Sequence, residues 1–349
     1  MHEPARPLGD IPNIEIIVGL PHLRSGALLE RARHRRYPVL VSANAFSCWD
    51  RSAGYPVWRG WNLKSLANAA GLVSIDLDSA GFVLASRYRG LPWSVDDYVA
   101  LAASHPFRRW ASLDLCVEEE IARNRDEVLD RIARTVALNH ACHVRALDAG
   151  NAASFMPVLQ GREPGDYLRC LDRMHGLLRP GMTLGVGSMC RRPIHGSEGL
   201  LAVLSALDRA LPDDIRLHLF GVKGLALGWL APLARRVASI DSAAFGVAAR
   251  REAHARGQSK TDAFVADHMD RWTGTQLRRL ELGKAGFQHE LLLSLPLAAL
   301  SPWETALAGA REEIRALIET GEIGPDQITE GWIAQWAADS DQDQPTENS

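Results

Sequence analysis

Carboxylate and amide side chains recur at the ends of short apolar runs in this chain. Asp78, Asp114 and Asp241 each lie in or directly after such a run, and Asn44 and Gln160 follow two others. A carboxylate next to a buried strand is costly unless it is hydrogen-bonded or takes part in chemistry. Paired carboxylates suit reactions at an anomeric carbon, where one attacks or stabilises an oxocarbenium-like centre and the other moves a proton.

A simpler interpretation exists for each of these carboxylates taken singly, since an Asp after a strand also caps the next helix. Several of them converging on one place are harder to explain as caps. Asp76 is a second candidate for the proton-moving role, because it precedes Asp78 by two residues and shares its strand face. Its alternative is a buried, hydrogen-bonded position below the site.

Eight apolar runs alternate with amphipathic helical patterns along the chain. Buried parallel strands have this composition, and repeated strand–helix units predict a parallel sheet. Eight units predict an α/β fold of the (β/α)8 type, a TIM barrel, in which the carboxyl ends of the strands carry the active site. The predicted strands are 16–20, 39–43, 72–77, 111–115, 155–159, 183–187, 217–222 and 237–240, and the predicted helices are 117–147, 165–178, 197–211, 225–237 and 303–319.

The chain is predicted to form one barrel domain over residues 1–337. A polar stretch near 248–284 is predicted to be an insertion, and the acidic tail 338–349 is predicted to be disordered. The composition excludes a largely disordered protein, because 46% of the 349 residues are hydrophobic.

The charge and cysteine content restrict the functional class further. A net charge of −3 argues against a globally basic nucleic-acid coat protein, although a local basic patch remains compatible with it. No apolar run reaches the roughly 18 residues of a membrane span. Five scattered cysteines without a C-x-x-C pair, and a start without a signal-like apolar core, predict a reduced cytoplasmic protein.

Several segments, in order along residues 38–250, resemble motifs of the tRNA-guanine transglycosylases, a (β/α)8 family that exchanges guanine for a 7-deazaguanine. Each motif is weak alone, and their order carries the resemblance. The segments are Asp78–Phe82 (DSAGF, like D-S-G-G-F), Ser112–Cys116 (SLDLC, like F-D-E-C), Phe155–Gly161 (FMPVLQG, like F-G-I-V-Q-G), Thr183–Ser188 (TLGVGS, at the G-G-L-A-V loop), Leu217–Gly224 (LHLFGVKG, like Y-L-M-G-V-G), Ile240–Ser242 (IDS, at F-D-C) and Asn44 (at G-N-T).

The resemblance implies a role for each matching residue. Asp241 would be the nucleophile that attacks C1′, and Asp78 would be the general acid/base. Asp114 would bind the donor edge of guanine. The remaining substrate-binding candidates are Gln160 and Gly187 for the carbonyl edge, with Gly161 and Ser79 beside them in the same motifs, and Asn44 for the ribose or the nucleophile.

One departure from the tRNA family concerns its zinc site, C-x-C-x2-C with a later His, which follows the nucleophile strand. The last cysteine here is Cys190, which precedes Asp241, so no metal site is predicted. His254, His268 and His289 cannot replace three thiolates. The zinc subdomain supports tRNA binding in that family, and its loss favours another substrate.

The chain is more similar to the branch that modifies DNA, the deazapurine DNA-modification transglycosylases (DpdA). Leu91–Ser94 and Asp241–Ala244 also look like this branch. The resemblance implies DNA as substrate, with tRNA as the alternative, and guanine and a 7-deazaguanine of the preQ0 type as exchanged bases. It implies no cofactor, and a helper ATPase or nuclease could open the duplex. A catalytically silent nucleic-acid-binding barrel and an unrelated barrel glycosidase are further alternatives.

Basic and aromatic residues near the predicted strand ends suggest nucleic-acid contacts. Surface solvation explains any one basic pair as well as phosphate binding does. Base stacking by the tryptophans competes with ordinary packing, which is the favoured interpretation. The candidates are Arg191, Arg192, Arg250 and Arg251, then Arg87, Arg89, Arg108 and Arg109 after the third strand, and Trp49, Trp58 and Trp61 with Tyr55 after the second.

Overall fold

The computed structural model describes residues 14–52, 55–81 and 91–290, together with Leu307 and Ala310. The strands in this part are β1 (Glu15–Leu20), β2 (Val39–Ser42), β3 (Ser47–Asp50), β4 (Val57–Trp61), β5 (Ile75–Asp78), β6 (Arg109–Ala111), β7 (Phe155–Met156), β8 (Val158–Leu159), β9 (Thr183–Val186), β10 (Arg216–Leu219) and β11 (Val237–Ser242). The helices are α1 (Ala27–His34), α2 (Val95–Ala103), α3 (Glu119–Ala122), α4 (Arg125–Asp148), α5 (Pro164–Arg173), α6 (Leu200–Ala210), α7 (Leu227–Leu230), α8 (Ala244–Ala255) and α9 (Asp262–Glu290).

Nine of these strands form one parallel sheet in the order β7-β6-β5-β2-β1-β11-β10-β9-β8. The two strands at the ends of this order, β7 and β8, are consecutive in the chain and separated only by Pro157. The sheet therefore returns almost to its start. This nearly closed, barrel-like sheet with helices is consistent with the predicted (β/α)8 barrel.

The break between β7 and β8 has a local cause. Proline has no N–H to donate to a ladder, so a strand that contains one loses a bond there. The side chain of Asn139 on α4 compensates, because its Oδ1 accepts from Val158 N at 2.8 Å and its Nδ2 donates to Val158 O at 3.1 Å. The buried amide of Asn139 thereby links the interrupted strand to α4.

All eight predicted apolar runs contain or overlap a strand, with shifted ends. The third strand starts later than predicted and includes Asp78 itself, and the fourth ends at Ala111, before Asp114. The predicted helix 225–237 is broken into short pieces around α7. The antiparallel hairpin β3–β4 lies outside the barrel sheet and was not predicted.

Most of the polar stretch 248–284, the predicted insertion, is helical. It belongs to α8 and α9, and α9 packs on α1, α7, α8 and β1. Its buried residues include Val265, Ala266 and Met269. The polar composition is compatible with this packing, because one face of α9 is solvated while the other covers β1. The predicted helix 303–319 and the tail 338–349 lie outside the described residues, apart from Leu307 and Ala310.

No helix in the described part of the chain is long and apolar enough to cross a membrane.

Candidate active site

A small cavity of about 130 Å³ lies at the carboxyl ends of the barrel strands. Side chains from β5, β11 and the segments after β6, β8, β9 and β10 line it. The lining residues are Leu40, Asp78, Ala80, Gly81, Asp114, Cys116, Glu118, Gln160, Gly187, Ser188, Cys190, Phe220, Gly221 and Asp241. Asp78, Asp114, Gln160, Gly187 and Asp241, which the sequence suggested, thus meet in one place.

Asp78 ends β5 and is held by the turn that follows. Its Oδ2 accepts from Ala80 N at 3.0 Å, and Ala80 adopts a φ of 69° to make this turn. Burial raises the pKa of Asp78, the charges of Asp114 and Asp241 raise it further, and the hydrogen bonds from Ala80 and Ser42 only partly oppose them. The resulting pKa is about 7. A carboxyl group with this pKa can both give and take a proton near neutrality.

Asp114 lies beyond β6 and is enclosed by hydrogen-bond donors. The Ser79 hydroxyl donates to its Oδ1 at 2.5 Å, and the Gln160 amide donates to its Oδ2. Burial raises the pKa of Asp114 against the effect of these two donors. Ser188 Oγ donates to Gln160 Oε1 at 2.6 Å, which orients the amide so that its NH2 group faces Asp114.

Glycine is required where the backbone approaches this group. A Cβ on Gly81 would lie 2.8 Å from Asp114 Oδ1, and a Cβ on Gly187 would overlap the Gln160 amide. Tyr167 donates its hydroxyl to Gly187 O at 2.8 Å and so holds this backbone in place. Because the backbone comes this close, backbone and amide groups form this part of the cavity wall.

Asp241 lies on β11, and its side chain is 12% exposed. Its Oδ1 accepts from Gly221 N at 2.9 Å, and His218 Nε2 lies 3.4 Å from the same oxygen. Gly221 adopts a φ of 66°, which favours glycine at this close approach. Both of these neighbours face Oδ1 and not Oδ2.

Asp76 occupies the layer below the cavity. It is 1% exposed, and Arg108 and Arg109 each form an ion pair with it, at 2.7 and 2.6 Å. Burial would raise the pKa of Asp76, but the hydrogen bond from Arg108 and the charges of Arg109 and Arg108 outweigh it and hold the pKa below its usual value. Asp76 therefore has no proton to give near neutrality. The guanidinium groups of both arginines are paired with this buried carboxylate, in place of the phosphate contacts suggested for them.

The other predicted substrate residues, Asn44, Ser79 and Gly161, are not among the residues that line the cavity. Asn44 lies in a turn after β2, and its buried Oδ1 accepts no hydrogen bond from the described residues. Ser79 acts through its bond to Asp114. Gly161 is buried against Asp166 and Tyr167 and does not line the cavity.

The four predicted nucleic-acid arginines fall into two groups. Arg250 and Arg251 are exposed on α8, which begins next to the site. Arg191 is 11% exposed with its Nε 3.9 Å from Glu118 Oε2. Arg192 is 3% exposed, so the predicted phosphate contact is wrong for this residue. Its guanidinium instead donates to the loop, namely to the carbonyls of Gly161, Arg162, Ser188 and Glu198 and to the Tyr167 hydroxyl.

The tryptophans after β2 support the packing interpretation. Trp58 and Trp61 form a cluster with Trp93, with ring centroids 4.8 to 6.0 Å apart. Trp61 donates its indole N–H to Asp97 O at 2.9 Å, which attaches the β3–β4 hairpin to α2. Arg87 and Arg89 lie outside the described residues.

Nine lining residues were not among the predicted site residues, and four of them carry a thiol, a carboxylate or a ring: Cys116, Glu118, Cys190 and Phe220. A detectable signal existed for two of them. Glu118 follows the run that carries Asp114, and Phe220 follows the run of β10, so both are at strand ends in a barrel. Within residues 14–52, 55–81 and 91–290, no cluster of three His, Cys, Asp or Glu side chains is placed to hold a metal ion.

The sheet and its mouth define an α/β protein with a nearly closed, barrel-like sheet and a polar site with four carboxyl groups at the carboxyl ends of its strands. A family model described as "DpdA: DeoxyPurine in DNA protein A" matches residues 40–322, which is most of the chain. The chain belongs to this family, the deazapurine DNA-modification transglycosylases. Membership gives it a DNA-modifying, transglycosylase-type role in general. No curated protein matches the chain by sequence.

Proposed function

We propose that this protein is a DNA-guanine transglycosylase, a pentosyltransferase that exchanges guanine in DNA for a 7-deazaguanine of the preQ0 type. The observation that carries the proposal is the cavity in which Asp78, Asp114 and Asp241 meet beside Gln160. The fold that we propose is a (β/α)8 barrel. The exchange reaction would need no cofactor.

In the first displacement, Asp241 Oδ2 attacks C1′ of the target deoxyguanosine. The C1′–N9 bond breaks, its electron pair goes to the purine, and Asp78 gives the purine its proton. The products are free guanine, a covalent Asp241–sugar ester and an ionised Asp78. A pKa of about 7 for Asp78 supports this step, because a substantial protonated fraction is present at neutral pH.

In the second displacement, the incoming base loses its N9 proton to the Asp78 carboxylate. N9 then attacks C1′, the C1′–Oδ2 bond breaks, and its electron pair returns to Asp241. Asp78 ends protonated and Asp241 ionised, so the enzyme is regenerated without an external reactant.

The base would be recognised by the group around Asp114. The Asp114 carboxylate can accept from the ring N–H and the exocyclic amine, which guanine and 7-deazaguanines share. Gln160, whose amide donates to Asp114, and the Gly187 backbone also line the cavity and would bind the carbonyl edge. Asn44, whose buried Oδ1 accepts no hydrogen bond from the described residues, would help to orient the ribose or the nucleophile.

The target base must leave its stack to enter a cavity of this size, which costs a few kcal/mol. Arg250 and Arg251 are exposed on α8, which begins three residues after Asp241, and would bind phosphates of the flipped strand. A helper ATPase or nuclease would reduce the opening cost. All five cysteines are free thiols, which supports a cytoplasmic location.

Guanine exchange tests the proposal directly. Purified protein is incubated with radiolabelled guanine and, separately, with duplex DNA, single-stranded DNA or bulk tRNA, with Asp241→Asn as the inactive control. We expect label in DNA and none with the variant. Label only in tRNA would assign the protein to tRNA modification, and full activity of Asp241→Asn would remove Asp241 as nucleophile.

A further inference from the structure

One fully buried histidine contacts the proposed nucleophile and has no role in the two displacements described above. His218 lies on β10 and is 0% exposed. Its Nε2 lies 3.4 Å from Asp241 Oδ1, and its Nδ1 lies 2.8 Å from Ser239 Oγ. Its ring also packs edge-on against Phe220, with centroids 4.5 Å apart at 86°. A polar ring buried in this way is costly unless its nitrogens are used.

Strand register explains why these groups meet. His218 is paired with Ser239 across the parallel strands β10 and β11. Alternate residues of a strand share a face, so Ser239 and Asp241 both point into the barrel on the side of His218. The imidazole therefore spans two successive layers, with Ser239 level with it and Asp241 above it at the mouth.

The hydrogen-bond partners of Ser239 determine which ring nitrogen carries the proton. Arg109 NH1 donates to Ser239 Oγ at 3.3 Å, and a guanidinium can only donate. The serine oxygen accepts from Arg109, which leaves its own hydrogen free to point toward His218 Nδ1. The ionised carboxylate of Asp241 can only accept, so the ring proton lies on Nε2, which faces it, and Nδ1 accepts from the Ser239 hydroxyl. Arg109 itself is held in place by Asp76.

We propose that His218, as the neutral Nε2–H tautomer set by Arg109 and Ser239, is a positioning residue for Asp241. This inference rests on the proposed function, since it assigns a task within that reaction. The Nε2–H and the Gly221 N–H together hold Oδ1 and thereby direct Oδ2 at the cavity. The separation of 3.4 Å is long for a hydrogen bond, and such bonds commonly shorten when a substrate is bound.

The same N–H has a second consequence in the return step. When the C1′–Oδ2 bond breaks, negative charge develops over the carboxylate of Asp241. A fixed donor at Oδ1 stabilises that charge without reorganisation. Loss of the donor should therefore slow turnover and leave guanine affinity nearly unchanged, because His218 does not line the cavity.

Three variants separate positioning from packing. His218→Leu removes the donor, His218→Gln restores an N–H near the position of Nε2, and Ser239→Ala removes only the group that sets the tautomer. A hydrogen bond to a charged group corresponds to about ten- to a hundredfold in rate. We expect kcat for guanine exchange into DNA to fall by about that factor in His218→Leu, by about three- to tenfold in Ser239→Ala, and to recover largely in His218→Gln.

The matched control is His140→Gln on α4, an exposed ring whose hydrogen-bond partner among the described residues is the Arg173 carbonyl. It should leave kcat and KM unchanged. Thermal unfolding of each variant checks that folding is retained. Unchanged kcat in a folded His218→Leu variant would overturn the positioning role. The role would also fail if KM rose by the same factor as kcat fell and His218→Gln restored neither.

A measurement that needs no turnover keeps the inference separate from the proposed function. Long-range proton–nitrogen NMR of protein labelled with ¹⁵N-histidine reports the tautomer, and the His218 signals are assigned by their absence from His218→Gln. We expect a protonated Nε2 in the wild type and a changed tautomer balance in Ser239→Ala. A protonated Nδ1 in the wild type would refute the inference even if exchange is observed. If exchange is absent with every substrate, the proposed function fails. The tautomer then still shows whether Arg109 and Ser239 place the ring proton of His218 on Nε2.

Discussion

Replacing Asp78 by asparagine should make the protein more stable at alkaline pH while abolishing guanine exchange. Asparagine has nearly the same shape as a protonated aspartic acid but cannot ionise. Burial and the charges of Asp114 and Asp241 disfavour the ionised form of Asp78 and raise its pKa from 3.8 to about 7. The variant removes that penalty together with the acid/base group.

The sign and size of the effect follow from linkage between proton binding and folding. In the unfolded chain Asp78 ionises near pH 3.8, whereas in the folded protein it keeps its proton until about pH 7. The folded state therefore binds more protons across this interval, and the contribution of Asp78 to stability falls as pH rises through it. Each pH unit of the interval corresponds to about 1.4 kcal/mol. Between pH 5 and pH 8, the advantage of Asp78→Asn should grow by about 2–3 kcal/mol.

The assay is equilibrium unfolding in urea at pH 5, 6.5 and 8, with the wild type and the variant measured side by side. The free energy of unfolding is extrapolated to water, and the slopes are compared to confirm that both unfold alike. Asp148→Asn serves as the control, since this carboxylate has a side chain that is 67% exposed. Its effect should stay within about 0.5 kcal/mol at every pH.

Two results would refute the reasoning. A difference between Asp78→Asn and wild type that stays constant from pH 5 to pH 8 would mean that the pKa of Asp78 is not raised by its surroundings. Retained exchange activity in the variant would show that another group moves the proton.

Three further perturbations test other parts of the site. Asp76→Asn leaves Arg108 and Arg109 without their buried carboxylate and should lower the free energy of unfolding by about 3–5 kcal/mol in the same urea assay, whereas an unchanged midpoint would contradict the buried ion pairs. Gly187→Ala places a methyl group against the Gln160 amide and should weaken guanine binding by at least about tenfold in calorimetric titration. Gly176→Ala, where a Cβ meets nothing within 4 Å, should bind guanine normally. Dialysis against a chelator should leave guanine exchange unchanged, and lost activity that zinc restores would reveal a metal requirement.

Much of the sheet could be predicted because buried parallel strands are apolar on both faces. The run 16–20 (IIVGL) is almost continuous in Ile, Val and Leu, and the run 237–240 (VASI) is uncharged; they contribute to the adjacent strands β1 and β11. The hairpin β3–β4 could not be read from such runs. Its strands are half-buried and stabilised by contacts to Trp93, which lies more than thirty residues away in sequence.

The carboxylates of the site were recognisable from their positions at strand ends, but their division of labour was not. Asp76 and Asp78 have the same residue type and share a strand face. They differ because Arg108 and Arg109 reach Asp76, while Asp78 faces two other carboxylates. Arg192 was misassigned for a related reason, since a basic pair in sequence does not reveal that one member is enclosed by five acceptors.

The charge of the cavity constrains how DNA can approach it. Asp78, Asp114, Glu118 and Asp241 all line the cavity, with Arg191 near one of them, so its interior repels phosphate. A volume of about 130 Å³ is also well below the 300–1,000 Å³ typical of small-molecule sites. An uncharged base can enter, because its ring and amine N–H groups meet carboxylate acceptors, whereas the backbone must remain outside. Binding energy for the strand must therefore come from groups beyond the cavity, which is where the exposed Arg250 and Arg251 lie. Added salt should accordingly raise the KM for DNA far more than it raises the dissociation constant for free guanine.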